Sequence, residues 1–153
     1  MRVTGKPTEK VCVVSNVLPG VFKTMDTTPI REDNWINVAC VGNPVPHKNF
    51  DILPVVLLEL RNLGVENVRF HTTIPFDHPL SNKLEKQLME MGMMENWKNH
   101  GRVSQKELGA MYQRCQLCFL PTLLEVFSAS TVEAMFFNLP IVATDFPFNT
   151  EVL

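Results

Sequence analysis

The chain has 153 residues, 45% of them apolar and 20% charged, the profile of one globular domain long enough to bury a core without a disulfide or a metal. Fourteen basic against sixteen acidic residues leave a formal charge of −2, which offers no footprint for nucleic acid and no polybasic membrane arm. No apolar run approaches the ~18 residues of a membrane span, and the polar start MRVTGKPTEK does not read as a signal peptide.

The segments then alternate. VCVVSN (11–16) reads as a short strand and is followed by a Pro/Thr-rich connector at 18–34. INVACVG (36–42) reads as a buried strand ending in glycine. Leu53, Val56, Leu57, Leu60 and Leu63 recur at helical spacing, which predicts a helix with Asp51 as N-cap, Pro54 at the third position and Gly64 as terminator. NVRFHTTI (67–74) is a further strand, and a helix is predicted over 82–91 after the turn PFDHP. Ser104 with Glu107 three residues on forms a capping box for the next helix. LCFLP, SASTVEAMFFN and PIVATD then read as strand, helix and strand. Such alternation predicts an α/β fold, a Rossmann-like parallel sheet with helices on both faces.

The four cysteines suit buried thiols in a reducing cytoplasm. Cys12 and Cys40 lie in strand-like runs, and the Cys115-x-x-Cys118 pair ends a helix, whereas a thioredoxin-type pair would open one. The four histidines are scattered singly, so no zinc set is completed.

In an open parallel sheet, ligands bind beyond the carboxyl ends of the strands. Three such ends stand out: Gly42-Asn43 onward, the segment around Gly101, and Pro121 to Ser130. The helix that begins near Ala129 offers free N–H groups and the positive end of its dipole to an anion. Glu125 lies before that helix and Glu133 about one turn inside it. Carboxylates pointing away from a phosphate suit hydroxyl groups, so a diphosphate flanked by hydroxyl-bearing rings, as in a nucleotide-sugar, fits the arrangement. Two plainer readings stay open: Ser130 to Glu133 also spells a capping box, and Glu125 suits a solvated loop acid.

EVFSASTVEAM (125–135) resembles the E-x7-E signature of the group 1 (family 4) glycosyltransferases. The flanking matches are Pro121-Thr122, Phe127, Pro140-Ile141-Val142, Thr144-Asp145 and Glu151-Val152. Upstream, Val41-Gly42, Lys48-Asn49, Gly101-Arg102-Val103-Ser104, Glu107-Leu108 and Tyr112 follow the family pattern in order. The resemblance covers about residues 35–153. It implies the C-terminal, donor-binding half of a GT-B fold, truncated at its C-terminus, with residues 1–34 as interdomain linker and first strand.

It further implies transfer of a sugar from a nucleotide-sugar with retention of configuration. By position, Glu133 would hold the ribose and Glu125 the transferred sugar. Lys48 would neutralise the diphosphate, although on its own it also suits a solvated surface lysine. The backbone of Val126, Phe127, Ser128 and Ala129 would cradle the distal phosphate. Gly42 would permit close approach beside Asn43, and Arg102-Val103 would line the base. Glu125 and Lys48 are the implied catalytic pair, and no bound metal is implied. The acceptor, a glycan, lipid or other molecule, would bind a missing N-terminal domain. The implied location is cytoplasmic, with any membrane contact made through that domain.

The sequence also departs from the pattern. Asn43 replaces the family's arginine, which removes half of its usual cationic pair. Val126 and Ser128 replace two glycines, Asn138 replaces another, and His71-Thr72-Thr73 stands where a glycine-rich turn is usual. The competing readings are a non-catalytic binding or interaction module with a decayed site, and a sugar-nucleotide epimerase of the same architecture. The isolated chain is expected to bind nucleotide weakly, transfer nothing and self-associate.

Overall fold

A computed structural model describes residues 18–125 and 128–150. Five strands, β1 (Ile36–Cys40), β2 (Val68–Thr72), β3 (Trp97–Asn99), β4 (Leu117–Leu120) and β5 (Ile141–Ala143), form one sheet in the order β3-β2-β1-β4-β5. Every pairing is parallel, with β1 against β2 in register from Ile36↔Val68 to Cys40↔Thr72. The helices are α1 (Leu53–Asn62), α2 (Pro79–Glu90), α3 (Gln105–Arg114), α4 (Ala129–Phe136) and the short α5 (Pro147–Thr150).

Strand periodicity divides the core between two faces. Val38 and Cys40 of β1 join Leu53 and Leu57 of α1 and Leu84 and Leu88 of α2 on one face. Ala39, between them, joins Met111 and Tyr112 of α3 and Ala134 of α4 on the other. The predicted parallel sheet covered on both faces is therefore present. The strand predicted at 11–16 lies outside the described residues.

Two helix starts differ from the expectations, one through a tertiary partner and one through a local cap. A 3-10 turn, Phe50–Ile52, precedes α1, so the residue before the helix is Ile52 rather than Asp51, and no side chain caps it. The Asp51 carboxylate instead accepts from Lys83 at 2.8 Å. Pro54 sits in the first turn, one position earlier than predicted, where its missing N–H breaks no helical bond. Gly64 closes this helix as predicted, at φ +77, a region open to glycine. α2 starts at Pro79 rather than 82, because His78 accepts the Leu80 N–H at 3.2 Å. The Ser104–Glu107 capping box is present in full.

β3 escaped the sequence reading. It is three residues long, and only Trp97 of them is buried, too little to show a period. Its last residue, Asn99, organises the loop after β2. The Asn99 Oδ1 accepts from the Ile74 N–H at 3.0 Å, and its Nδ2 donates to the Ile74 carbonyl at 2.8 Å.

Candidate functional site

All five strands point the same way, so the loops after β1, β2, β3 and β4 emerge at one edge of the sheet. The chain winds outward from β1 through β2 to β3, then returns across to β4, which places a topological switch between β1 and β4. A crevice at such a switch is where an open α/β sheet binds ligands. Here it is a cleft of about 380 Å³. Gly42 and Asn43 line it from the β1 end, Thr73 and Pro75 from the β2 end, Arg102 and Val103 from the β3 end, and Ala129, Ser130 and Glu133 from α4. A larger concavity of about 750 Å³, bordered by Trp35, Asn67 and Asn96, lies beside residues that precede β1, β2 and β3. It is at the amino ends of the strands, and the site is assigned to the smaller cleft.

Glu133 is only 8% exposed. Its carboxylate accepts from the Tyr112 hydroxyl at 3.0 Å, and Tyr112 is fully buried against Phe137. Burial raises the Glu133 pKa above the ordinary carboxylate range, and the Tyr112 hydrogen bond works against that rise. The capping-box alternative for Glu133 is corrected here. α4 begins at Ala129, after Ser128, with no side-chain cap, and Ser130 lies inside the helix with its hydroxyl on the Val41 carbonyl at 3.2 Å. Glu133 thus keeps one wall of the cleft acidic without serving the helix end.

Lys48 and Glu125 form a partly buried ion pair, with side chains 14% and 21% exposed. The solvated-loop reading of Glu125 and the surface reading of Lys48 are thereby set aside. The Lys48 stem lies against Gly42, where an added Cβ would stand 3.7 Å from its Cδ and Cε. Gly42 has φ +156, which side chains rarely adopt. The Leu123 N–H donates to the His47 carbonyl at 2.7 Å, so backbone as well as charge ties the loop after β1 to the loop after β4. Val126 and Phe127 lie outside the described residues, and Ser128 directly precedes α4.

The structure therefore gathers Gly42, Asn43, Arg102, Val103, Ala129 and Glu133 around one cleft, with Lys48 and Glu125 paired at Gly42. Thr73, Pro75 and Leu108 also line it; the sequence reading placed Thr73 and Leu108 within the family pattern but assigned none of the three to the site. The signal for Thr73 and Pro75 was their place just past a strand end. Cys40, Cys115 and Cys118 are free and buried. Burial pushes the Cys115 and Cys118 thiols up to about 12, which leaves them inert as nucleophiles. Among the described residues, no three His, Cys, Asp or Glu side chains converge in a way that could hold a metal ion.

The sequence profile of the group 1 glycosyl transferases matches residues 23–153. The chain belongs to that family. No curated protein matches this group 1 glycosyltransferase chain significantly, but solved structures do. A TarM variant from S. aureus, in complex with fondaparinux, alpha-GlcNAc-glycerol and UDP, shares 22% identity over 78% of this chain and 23% of its own, with a TM-score of 0.63. Anabaena HepE in complex with UDP-glucose shares 22% identity over 78% of this chain and 32% of its own, with a TM-score of 0.64. WaaG, a glycosyltransferase involved in lipopolysaccharide biosynthesis, shares 20% identity over 74% of this chain and 30% of its own, with a TM-score of 0.59. These likenesses show the Rossmann-like fold found in GT-B glycosyltransferases. The chain spans a quarter to a third of the length of these proteins.

Proposed function

We propose that this chain is the donor-binding domain of a retaining hexosyltransferase, with residues 35–153 forming the domain and residues 1–34 leading into it. The observation that carries the reading is the cleft at the β1/β4 switch, where a buried carboxylate (Glu133), a glycine at φ +156 (Gly42) and the start of α4 meet. Neighbours of this fold are described with UDP or UDP-glucose bound.

In this reading the N-terminal turn of α4 faces the distal phosphate with its free N–H groups and dipole. Glu133 accepts from the ribose hydroxyls, held in place by Tyr112. Lys48 exchanges its partner, leaving Glu125 for the diphosphate, and Glu125 is then directed to the hydroxyls of the sugar. During transfer the bond from the sugar C1 to the diphosphate oxygen breaks, and a bond from C1 to the acceptor oxygen forms. The diphosphate oxygen leaves with the bonding pair and takes up the proton that the acceptor hydroxyl gives up. The domain's contribution is electrostatic stabilisation of that leaving charge by Lys48 and the helix start. No metal is required for this. The acceptor is bound elsewhere in a cytoplasmic parent enzyme, and the chain by itself binds donor without transferring sugar.

Asn43 favours a second reading, a module that has kept the cleft and lost transfer, since it contributes no charge where the family has arginine. The test is transfer by a full-length parent enzyme supplied with nucleotide-sugars, with the anomer of the product followed by NMR. A retained anomer, lost on Glu125→Gln, supports the transferase. Donor binding without any transfer supports the module, and an inverted anomer removes the retaining assignment.

A further inference from the structure

His71 of β2 and Lys98 of β3 are register partners, so their side chains leave the same face of the sheet. His100 follows one residue beyond β3. The three border a cavity of about 370 Å³ beside α3, apart from the donor cleft, with Val103 as the wall common to both. The hydrogen bonds fix where the protons sit. The Asn37 Nδ2 donates to Asp33 at 3.2 Å, so its Oδ1 faces His71 and receives the His71 Nε2–H at 2.8 Å. His71 Nδ1 is then an acceptor, and His100 donates to it through Nε2 at 2.9 Å. One ring nitrogen, His100 Nδ1, is left without a partner among the described residues. A further proton can settle there without breaking a bond, whereas on His71 Nδ1 it would displace the His100 donor.

The charges around this pair do not balance. Glu32, ahead of β1, is taken by Arg114 of α3 at 3.0 Å, and Asp33 by Arg69 of β2 at 3.0 Å. Glu107 of α3 accepts the Ser104 N–H and hydroxyl, each at 2.7 Å. Arg102 lines the donor cleft instead. Among the described residues no carboxylate lies within salt-bridge reach of Lys98. Burial, and after it the Lys98 charge, holds the half-buried His100 imidazole below its ordinary pKa. A cavity with an unmatched ammonium, beside an imidazole able to accept one more proton, lacks a negative charge.

We propose that this cavity binds a small oxyanion, a phosphate-type group or a carboxylate, between the Lys98 ammonium and the His100 imidazole, with uptake of one proton at His100 Nδ1. The proton comes from solvent, and the anion supplies the counter-charge that retains it. Without the anion, His100 stays neutral at neutral pH. Binding therefore strengthens as pH falls. An opposite charge at hydrogen-bonding range raises an imidazole pKa by about 1–3, so the affinity gained on full protonation is about tenfold or more. Neither histidine nor Lys98 lines the donor cleft, so this site stands or falls apart from the nucleotide-sugar reading.

The test is titration of the 153-residue chain with sulfate or acetate, against chloride at equal ionic strength, at pH 7.5 and pH 5.5. It is read by NMR from the His100 imidazole and the backbone amides of 98–101. Both probes stay largely ionised over this range, so a change in affinity belongs to the protein. Saturable shifts, about tenfold tighter at pH 5.5, are expected. Preference for sulfate marks a phosphate-type ligand, and preference for acetate a carboxylate. Lys98→Met, at an exposed position, should keep the fold and weaken binding about tenfold or more. His100→Gln keeps an N–H for His71 but takes up no proton, so it should bind weakly and equally at both pH values. Lys48→Met should leave these shifts unchanged. Shifts that do not saturate, or equal wild-type affinity at both pH values, overturn the proposal. Loss of the shifts in Lys48→Met also overturns it, by placing the anion in the donor cleft.

Discussion

At the scale of single residues, the proposed chemistry depends on two carboxylates in unlike settings. Glu133 is buried with one hydroxyl donor, and Glu125 is partly exposed and bound to Lys48. Removing the donor by Tyr112→Phe leaves a buried carboxylate acceptor short of a partner. It should destabilise the chain by about 1–3 kcal/mol, read as a lower urea midpoint with unchanged slope. An unchanged midpoint would mean that water takes over from Tyr112. Lys48→Met removes the cation that the proposed function offers to the diphosphate and should weaken both pyrophosphate and nucleoside diphosphate by about 1.5–3 kcal/mol, with a shallower salt dependence. Equal affinities for wild type and variant would place the phosphates elsewhere. The positions of Glu125, Glu133 and Lys48 were legible because the family pattern preserves their spacing. Their partners were harder to read. Lys48 and Glu125 are 77 residues apart, and Tyr112 and Glu133 sit on different helices; no local period encodes either contact.

At the scale of elements, strand alternation and the Ser104–Glu107 box were readable because their determinants are local. Ser104→Ala should cost about 1 kcal/mol in chemical denaturation, and no loss would mean that the box is not formed in solution. The Asp51 and Ser130 assignments failed for the opposite reason. Each residue type favours a helix start, but Lys83 draws Asp51 away, and the Val41 carbonyl holds Ser130 inside α4. In the middle of the sheet, His71 lies between His100 and Asn37, with ring nitrogens 2.9 and 2.8 Å from them. Burial, assisted by His100, Lys98 and Arg69, lowers its pKa from 6.5 to about 4. The unfolded chain therefore takes up a proton between these values that the folded chain refuses. Stability from this site is full above pH ~6.5 and falls by on the order of 2–3 kcal/mol toward pH 4. Urea unfolding at pH 7 and pH 5 should show this loss, and His71→Gln should flatten it. An equal slope in the variant would assign the acid sensitivity to other groups.

At the scale of the whole molecule, the strand order determines where a ligand can sit. The parallel sheet was legible from the alternation of elements and the family resemblance, but its order was not, because the three-residue β3 at one edge shows no period. The sheet edge at β5 carries Val142 at 52% exposure, and Met135 and Phe146 nearby in sequence are 43% and 40% exposed. An edge strand and apolar side chains in solvent favour pairing between copies. The isolated chain should therefore sediment with a concentration-dependent coefficient. A single monomeric species at all concentrations would show that this surface is not self-adhesive.

The central claim is that the cleft between the ends of β1 and β4 binds a nucleotide-sugar through Glu133. The most direct measurement is calorimetric titration of the chain with a nucleoside diphosphate, for wild type and for Glu133→Gln. The account predicts saturable binding that weakens by about 1–3 kcal/mol in the variant, with pyrophosphate binding unaffected because the ribose is absent. Nucleotide binding of equal strength in both proteins would contradict it.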